Sequence, residues 1–363
     1  MNLKALIRKE VLSQTAYPAE TPSCRIKLDA NENPFTLPTS LKDSILEAMK
    51  KIDLNRYPEP GSHRLRTRFA QYYGVERNML MIGNGSDELI HTLCTTLTGQ
   101  PLDVIVPLPT FAMYRISALN NGHRVIAVPL DASFDLDVDV ILPHLATTKA
   151  AAAATLIFLS YPNNPTGNCF SEQKIKVIIE QSSGIVVVDE AYFPFSGKTF
   201  LTFLKRYENL VILRTLSKIG LAAMRIGFLI GPASLIHELD KVRLPYNLNT
   251  LSQVAADFYL DNEATFLKQA GEIISMREEL FAALKEMKGV HPYPSEANFI
   301  FFSCDFDVDS VYDNLMEKGI LIKNFPAPGI TRNCMRVTVG NREENDEFLA
   351  ALKGIIAKVR RVV

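Results

Sequence analysis

Surplus charge is scarce in this 363-residue sequence: 39 lysines and arginines against 40 aspartates and glutamates leave a formal net charge of −1. So balanced a chain has no electrostatic reason to bind nucleic acid or an anionic membrane surface. Cysteine is sparse too. Cys24, Cys94, Cys169, Cys304 and Cys334 are odd in number, scattered, and form no CxxC. That argues against a disulfide framework or zinc knuckle and fits reduced thiols in a cytoplasmic protein. The six histidines make no HExxH or paired-ligand spacing, so no metal site is expected. Neither GxGxxG nor a Walker loop occurs, which removes the usual nicotinamide and nucleoside-triphosphate signatures. The longest apolar stretch, AAAAATLIFL from Ala150, is about half of the ~20 residues a membrane-spanning helix needs. The opening MNLKALIRKEVLSQ carries Lys4, Arg8, Lys9 and Glu10 inside its apolar positions. It reads as a short amphipathic helix, not a signal peptide.

What remains is an ordinary globular composition, 47% apolar and 22% charged, in a chain long enough for a large core. Between about residues 70 and 230, seven short apolar runs alternate with helical patterns. The runs are 78–83, 103–107, 123–130, 155–160, 184–190, 209–214 and 225–231, and the helices between them include 87–97, 171–182 and one near 137–147. Continuously apolar strands alternating with helices predict an α/β fold whose mainly parallel sheet is covered on both faces. Long helical patterns follow over 233–287. The last third alternates differently, with strands expected at 298–304, 319–324 and 335–340 and helices at 307–318 and 342–360, a small α+β unit. The division expected is an arm over 1–30, a large domain over 31–255 and a small one over 256–363, the last joined by part of the N-terminal segment.

Ligands of an open parallel sheet bind beyond the carboxyl ends of its strands, and the residues expected there form an unusual set. They are GNGSDE (83–88), Thr110-Phe111, YPNNPTGN (161–168), DEAY (189–192) and, after the sixth run, Ser217-Lys218, with Arg225 seven residues further on. Taken singly, each has an ordinary use. GNGSDE makes a turn and helix cap, NNPTG makes a turn, Phe111 packs in a core, and a lysine snorkels to water. Asp189 is harder to accommodate, because an acid following four apolar residues on a buried strand must find a cation or donor, or stay protonated. One chemistry needs all the parts together. A pyridoxal phosphate enzyme uses a lysine to form a Schiff base and shuttle protons, and a carboxylate against the pyridine nitrogen. It also uses a donor to the ring's phenolate oxygen, an aromatic on its face, and amides, hydroxyls and an arginine around a dianionic phosphate. Lys218, Asp189, Tyr192 with Asn164, Phe111, and Gly85-Ser86-Asp87 with Ser217 and Arg225 supply those roles in turn.

The sequence also resembles the fold-type I aminotransferases, specifically the histidinol-phosphate aminotransferases. The resemblance spans nearly the whole chain, through LDANENPF (28–35), NRYPEPGSHRLR (55–66), GNGSDELI (83–90), YPNNPTGN (161–168), VVVDEAY (186–192), RTLSKIGLAAMRIGF (214–228) and MRVTVGNREEN (335–345). It implies a large domain built on a seven-stranded sheet and amino transfer between glutamate and imidazole-acetol phosphate, giving 2-oxoglutarate and histidinol phosphate in histidine biosynthesis. It further implies a homodimer in which Tyr57 reaches the neighbouring subunit's cofactor phosphate, and an Arg336 that binds the donor's carboxylate. Three departures stand out: a lysine-to-arginine loop one residue shorter than in many relatives, Phe111 where tyrosine is common, and Lys323 where many carry arginine. A lysine meets phosphate as a point charge and cannot form arginine's planar fork. An antiparallel pairing of 319–324 with 335–340 would bring Lys323 and Arg336 to one mouth, and Lys323 with Asn33 and Tyr57 is expected to receive the substrate phosphate. Aromatic amino-acid transamination and threonine-phosphate decarboxylation share the same strand-end residues and are the alternatives. A DNA-binding regulator on this fold would need a further domain for which the short N-terminal arm leaves no room.

Overall fold

In the computed structural model, which describes residues 2–14, 22–97, 102–145, 155–325 and 331–362, thirteen strands form three sheets. The largest holds seven, β2 (Leu80–Asn84), β3 (Asp103–Leu108), β4 (Arg124–Pro129), β5 (Thr155–Ser160), β6 (Ile185–Asp189), β7 (Leu210–Thr215) and β8 (Ile226–Ile230). Their order is β2-β8-β7-β6-β5-β3-β4. All run parallel except β8, which is antiparallel to both neighbours. Since β8 runs backwards, its first residues emerge where the other strands end. The expected mainly parallel seven-stranded sheet is found.

The continuous apolar runs have a simple cause. Successive side chains of a strand point to opposite faces, and here both faces are covered. Val104, Phe158, Val187, Val211 and Leu213 pack on one side with Leu89, Leu93, Tyr114 and Ile236 from helices Ser86–Thr96, Ala112–Asn120 and Ala233–Val242. Ile105, Ile157, Leu159, Val186, Val188 and Ile212 pack on the other with Ile175, Ile178 and Ala255 from helices Glu172–Gln181 and Thr250–Asp261. Every residue of β5 and β7 is buried.

A second core gathers around the four-stranded antiparallel sheet β12-β13-β10-β9, with β9 (Val290–Pro292), β10 (Phe299–Cys304), β12 (Lys323–Asn324) and β13 (Cys334–Thr338). Helices Val308–Glu317 and Arg342–Val362 cover it, and Ile26 and Leu28 from the N-terminal segment join it. The long helix Glu263–Lys285 links the two bodies. Its Phe266 enters the first core, while Ala270, Ile273, Leu280 and Leu284 enter the second.

Two expectations are corrected. The run 319–324 is not one strand. Ile320–Leu321 (β11) pairs in parallel with Ile26–Lys27 (β1), and only Lys323–Asn324 joins the four-stranded sheet. The chain changes partner at Ile322, which is buried. The N-terminal amphipathic helix is likewise broken, into a 3-10 turn Leu3–Leu6 and a single helical turn Lys9–Leu12. Between them Arg8 is extended and donates to the carbonyl of Asn120, at the end of helix Ala112–Asn120. A cation favours that terminus. Helix Val138–Leu145 matches the one expected near 137–147 as far as it is described. The alanine run 150–154, residues 146–147 and part of the N-terminal arm lie outside the described residues.

Candidate active site

The carboxyl ends of β2, β3, β5, β6 and β7, with the start of β8, open on a cavity of about 570 Å³. Ser86, Asp87, Phe111, Asn164, Asp189 and Tyr192 line it from the strand ends, joined by Ser217, Lys218 and Arg225. Lys323 and Arg336 close it from the small sheet, where they are direct register partners on antiparallel β12 and β13. The pairing that was to bring both cations to one mouth is present. Asp29 to Glu32 form a strap along the same wall.

Lys218 sits in a widened turn, Ser217–Leu221, made possible by Gly220 at φ 125 and followed at once by the 3-10 turn Ala222–Met224. Its Nζ lies 3.4 Å from the carbonyl oxygen of Ala30 and 5.9 Å from the Tyr192 ring. Burial, helped by the nearby Arg336 guanidinium, draws the amine from its ordinary 10.5 down to about 8, against the pull of Asp87 and Glu32. Near neutrality a useful fraction of such an amine is uncharged and nucleophilic.

The two adjacent acids of VVVDEAY have opposite surroundings. Glu190 is wholly enclosed but satisfied: Arg214 meets it at 2.7 Å, Thr199 donates to it, and the amide of Phe200 donates at 2.6 Å. Asp189 has no cation within 4 Å among the described residues. Its Oδ2 accepts from the Tyr114 hydroxyl at 2.7 Å and its Oδ1 from the Ala191 amide at 3.0 Å. Burial pushes its carboxyl up to about 6 in spite of those two bonds. A buried acid held this way lacks only a cationic partner, and a protonated ring nitrogen is one.

At the end of β2 the chain enters helix Ser86–Thr96 through Gly85, at φ 81 and ψ 165, and no side chain caps the first turn. Those amides are therefore available to an anion. Gly85 lies behind the cavity wall for a steric reason: a Cβ there would meet Arg225 Nη2 at 2.5 Å. Arg225 itself is left-handed at φ 50 and pairs with Asp87 at 2.9 Å. Thr215 donates to Ser217 Oγ at 2.9 Å beside it. Turn amides, a serine hydroxyl and a guanidinium thus converge where a phosphate dianion would be held.

Tyr192 is buried, which raises its phenol, with Arg336 and Asn31 opposing. Asn31 Nδ2 donates to its oxygen at 2.8 Å, so the hydroxyl proton remains to be given elsewhere. The Asn164 oxygen accepts from Arg336 Nη1, and Arg336 Nη2 donates to the Asp29 carbonyl. With its oxygen engaged, Asn164 offers a ligand its NH2 donors. Phe111 sets its ring edge-on to Tyr114, 5.5 Å between centroids.

Two expected residues are not brought to the cavity. Asn33 donates instead to the Ile219 carbonyl and to Gln269, while its own oxygen takes the Phe35 amide. It ties the strap to the lysine turn. Tyr57 is 81% exposed and stacks on Tyr246 at 4.7 Å. Sequence reading also passed over Tyr114, Asn31 and Thr215. Only Asn31, left-handed at φ 56, carried a local signal, since asparagine tolerates that conformation.

The chain matches the family described as aminotransferase class I and II over residues 25–352. It is 43% identical to histidinol-phosphate aminotransferase 2 of Nitrosococcus oceani over 96% of each chain. It is 39% identical to histidinol-phosphate aminotransferase of Aquifex aeolicus, covering 96% of this chain and 97% of the relative. Among solved structures, histidinol-phosphate aminotransferase from Sinorhizobium meliloti, in complex with pyridoxal-5'-phosphate, is similar in fold with a TM-score of 0.86 and 22% identity, covering 98% of each chain. An L-threonine-O-3-phosphate decarboxylase from Porphyromonas gingivalis shares the fold as well, with a TM-score of 0.78 and 20% identity, covering 92% of this chain and 99% of that one.

Proposed function

We propose that this chain, which belongs to the aminotransferase class I and II family, moves the amino group of glutamate to imidazole-acetol phosphate with pyridoxal phosphate as cofactor. Histidinol phosphate and 2-oxoglutarate are the products, and the reaction serves histidine biosynthesis in the cytoplasm. The observation that carries the reading is one cavity lined both by a partly buried lysine, Lys218, and by a buried acid, Asp189, that has no cation within 4 Å among the described residues. The names of relatives sharing 37–43% identity over nearly their whole length support the substrate.

When bound, pyridoxal phosphate supplies an aldehyde and a protonated ring that delocalises the electron pair left when the substrate's amino-bearing carbon gives up its proton. The amides of Ser86 and Asp87, the Ser217 hydroxyl and Arg225 hold its phosphate. Asp189 keeps the proton on the ring nitrogen. Tyr192 and Asn164 donate to the ring oxygen, and Phe111 covers the ring face. Lys218 Nζ would take the proton from the amino-bearing carbon and deliver it across the transferred nitrogen to the carbon that was the cofactor's aldehyde, a transfer for which an amine drawn down to about 8 is well poised. Arg336 turns its planar fork to the α-carboxylate of glutamate. Opposite it, Lys323 receives the second anion, the phosphate of the acceptor. We assign Tyr57 to the site of a second copy: exposed and not among the residues lining its own cavity, with Leu54 (84%) and Leu244 (69%) also exposed, it fits a homodimer interface.

Lys323→Ala tests the substrate assignment. Its Michaelis constant for histidinol phosphate should rise about tenfold, the worth of one charge-assisted hydrogen bond, while that for phenylalanine stays near wild type. Equal effects on both, or none, would return Lys323 to the surface and favour aromatic amino-acid transamination.

A further inference from the structure

The acid that faces the ring nitrogen does not stand alone. Tyr114, on helix Ala112–Asn120, is fully buried and reaches through the apolar face of the sheet to Asp189 Oδ2, 2.7 Å away. Its ring lies flat against Phe158, 4.7 Å between centroids and 1° from parallel, with Phe111 edge-on at 5.5 Å. Two aromatic contacts therefore fix where its hydroxyl points. The Ala191 amide occupies the other carboxylate oxygen at 3.0 Å. Each oxygen thus receives one protein donor. Asp189 also lines the cavity, where the expected cationic partner would lie.

We propose that Tyr114 is a positioning residue for this reaction: its hydroxyl sets the orientation and the proton affinity of Asp189, and through Asp189 the protonation of the cofactor's ring nitrogen. The inference rests on the reading that the cavity takes pyridoxal phosphate, but the property it assigns belongs to the protein alone. A donor to a carboxylate favours the ionised form. Burial pushes Asp189 up, Asp87 and Glu190 add to that push, and the hydroxyl of Tyr114 is the largest influence opposing them. Tyr192 also faces Asp189, while Lys218, Arg225 and Arg336 line the same cavity. Without Tyr114 the carboxyl would hold its proton to higher pH, and would itself be a donor to the ring nitrogen where an acceptor is needed. Tyr114 cannot deliver a proton in place of Asp189, because burial and the adjacent carboxylate raise its own phenol well above the ordinary range.

Tyr114→Phe removes the hydroxyl and keeps both ring contacts. In cofactor-free protein carrying ¹³C-labelled aspartate, the Asp189 resonance is the one that disappears in Asp189→Asn. Its titration midpoint should move up from about 6 by roughly one pH unit in Tyr114→Phe. Site-specific 3-fluorotyrosine at position 114, a stronger donor of the same shape, should move it down. In the loaded enzyme Tyr114→Phe should lower kcat, leave KM for the amino donor near wild type, and shift the acid limb of the pH profile up with the midpoint. An unmoved midpoint in either folded variant overturns the proposal, even if activity falls, because a purely packing role changes stability and not that titration. The titration needs no cofactor. A protein that failed to bind pyridoxal phosphate would sink the functional reading while leaving Tyr114's hold on Asp189 open to the same measurement.

Discussion

Replacing Lys218 by methionine should make the cofactor-free protein more stable while abolishing its activity. The wild-type amine is drawn from 10.5 down to about 8 by burial and by Arg336. At about 1.4 kcal/mol per tenfold change in proton affinity, the charged form costs up to roughly 3 kcal/mol in the folded state. Lys218 opens onto the cavity and keeps some contact with water, so this is a ceiling. The folded value lies below the unfolded one. The cost is therefore absent above pH 10.5, grows as pH falls, and is complete once pH drops below about 8. Methionine has a similar reach and no charge, so its own packing contributes a term that does not vary with pH. Urea denaturation of cofactor-free wild type and Lys218→Met at pH 7 and pH 9.5 separates the two. The variant should lead by up to ~3 kcal/mol at pH 7 and by about half as much at pH 9.5. A lead that does not change with pH, or a variant less stable at pH 7, would refute the claim that Lys218 is held as a strained amine.

Glu190→Ala should lower stability by about 3–5 kcal/mol, because it strands Arg214 as an unpaired buried charge; a loss under about 1 kcal/mol would mean that the Phe193 and Tyr73 rings, 3.7 and 5.1 Å from its guanidinium, suffice. Lys218→Ala and Tyr57→Ala, each inactive or crippled alone, should regain activity when mixed. Each heterodimer then holds one site with an intact lysine and an intact tyrosine from the other chain, and no recovery after confirmed subunit exchange would contradict Tyr57 acting in trans.

The features legible in the sequence are those written locally. A strand buried on both faces must be apolar throughout, so β5, β6 and β7 announce themselves, and their last residues mark the cavity edge. Asp189 was conspicuous because a charge after Ile185-Val186-Val187-Val188 has no cheap place to go. The contacts that give Asp189 and Tyr192 their character were not legible. Tyr114 is 75 residues from Asp189, and Asn31 is 161 from Tyr192. No spacing rule reaches that far, and a tyrosine on an apolar helix face looks like core until the sheet edge it touches is known. The strap posed a subtler problem. Asn31 and Asn33 are near neighbours in ANEN, but a left-handed backbone at Asn31 sends its side chain to Tyr192, while Asn33 turns to Gln269. The run GILIK hid its break for a similar reason. Ile320, Leu321 and Ile322 are all buried, and alternation cannot show that the chain leaves one sheet for another at that point.

The central claim is amino transfer to a phosphorylated acceptor at a Lys218 site, and a side-by-side assay tests it most directly. Purified protein loaded with pyridoxal phosphate is given glutamate and either imidazole-acetol phosphate or phenylpyruvate, and 2-oxoglutarate is followed. The kcat/KM for imidazole-acetol phosphate should be at least about tenfold higher, the discrimination that one charge-assisted hydrogen bond supplies, with no turnover of either in Lys218→Ala. Equal or greater activity on phenylpyruvate, or turnover surviving in Lys218→Ala, would contradict it.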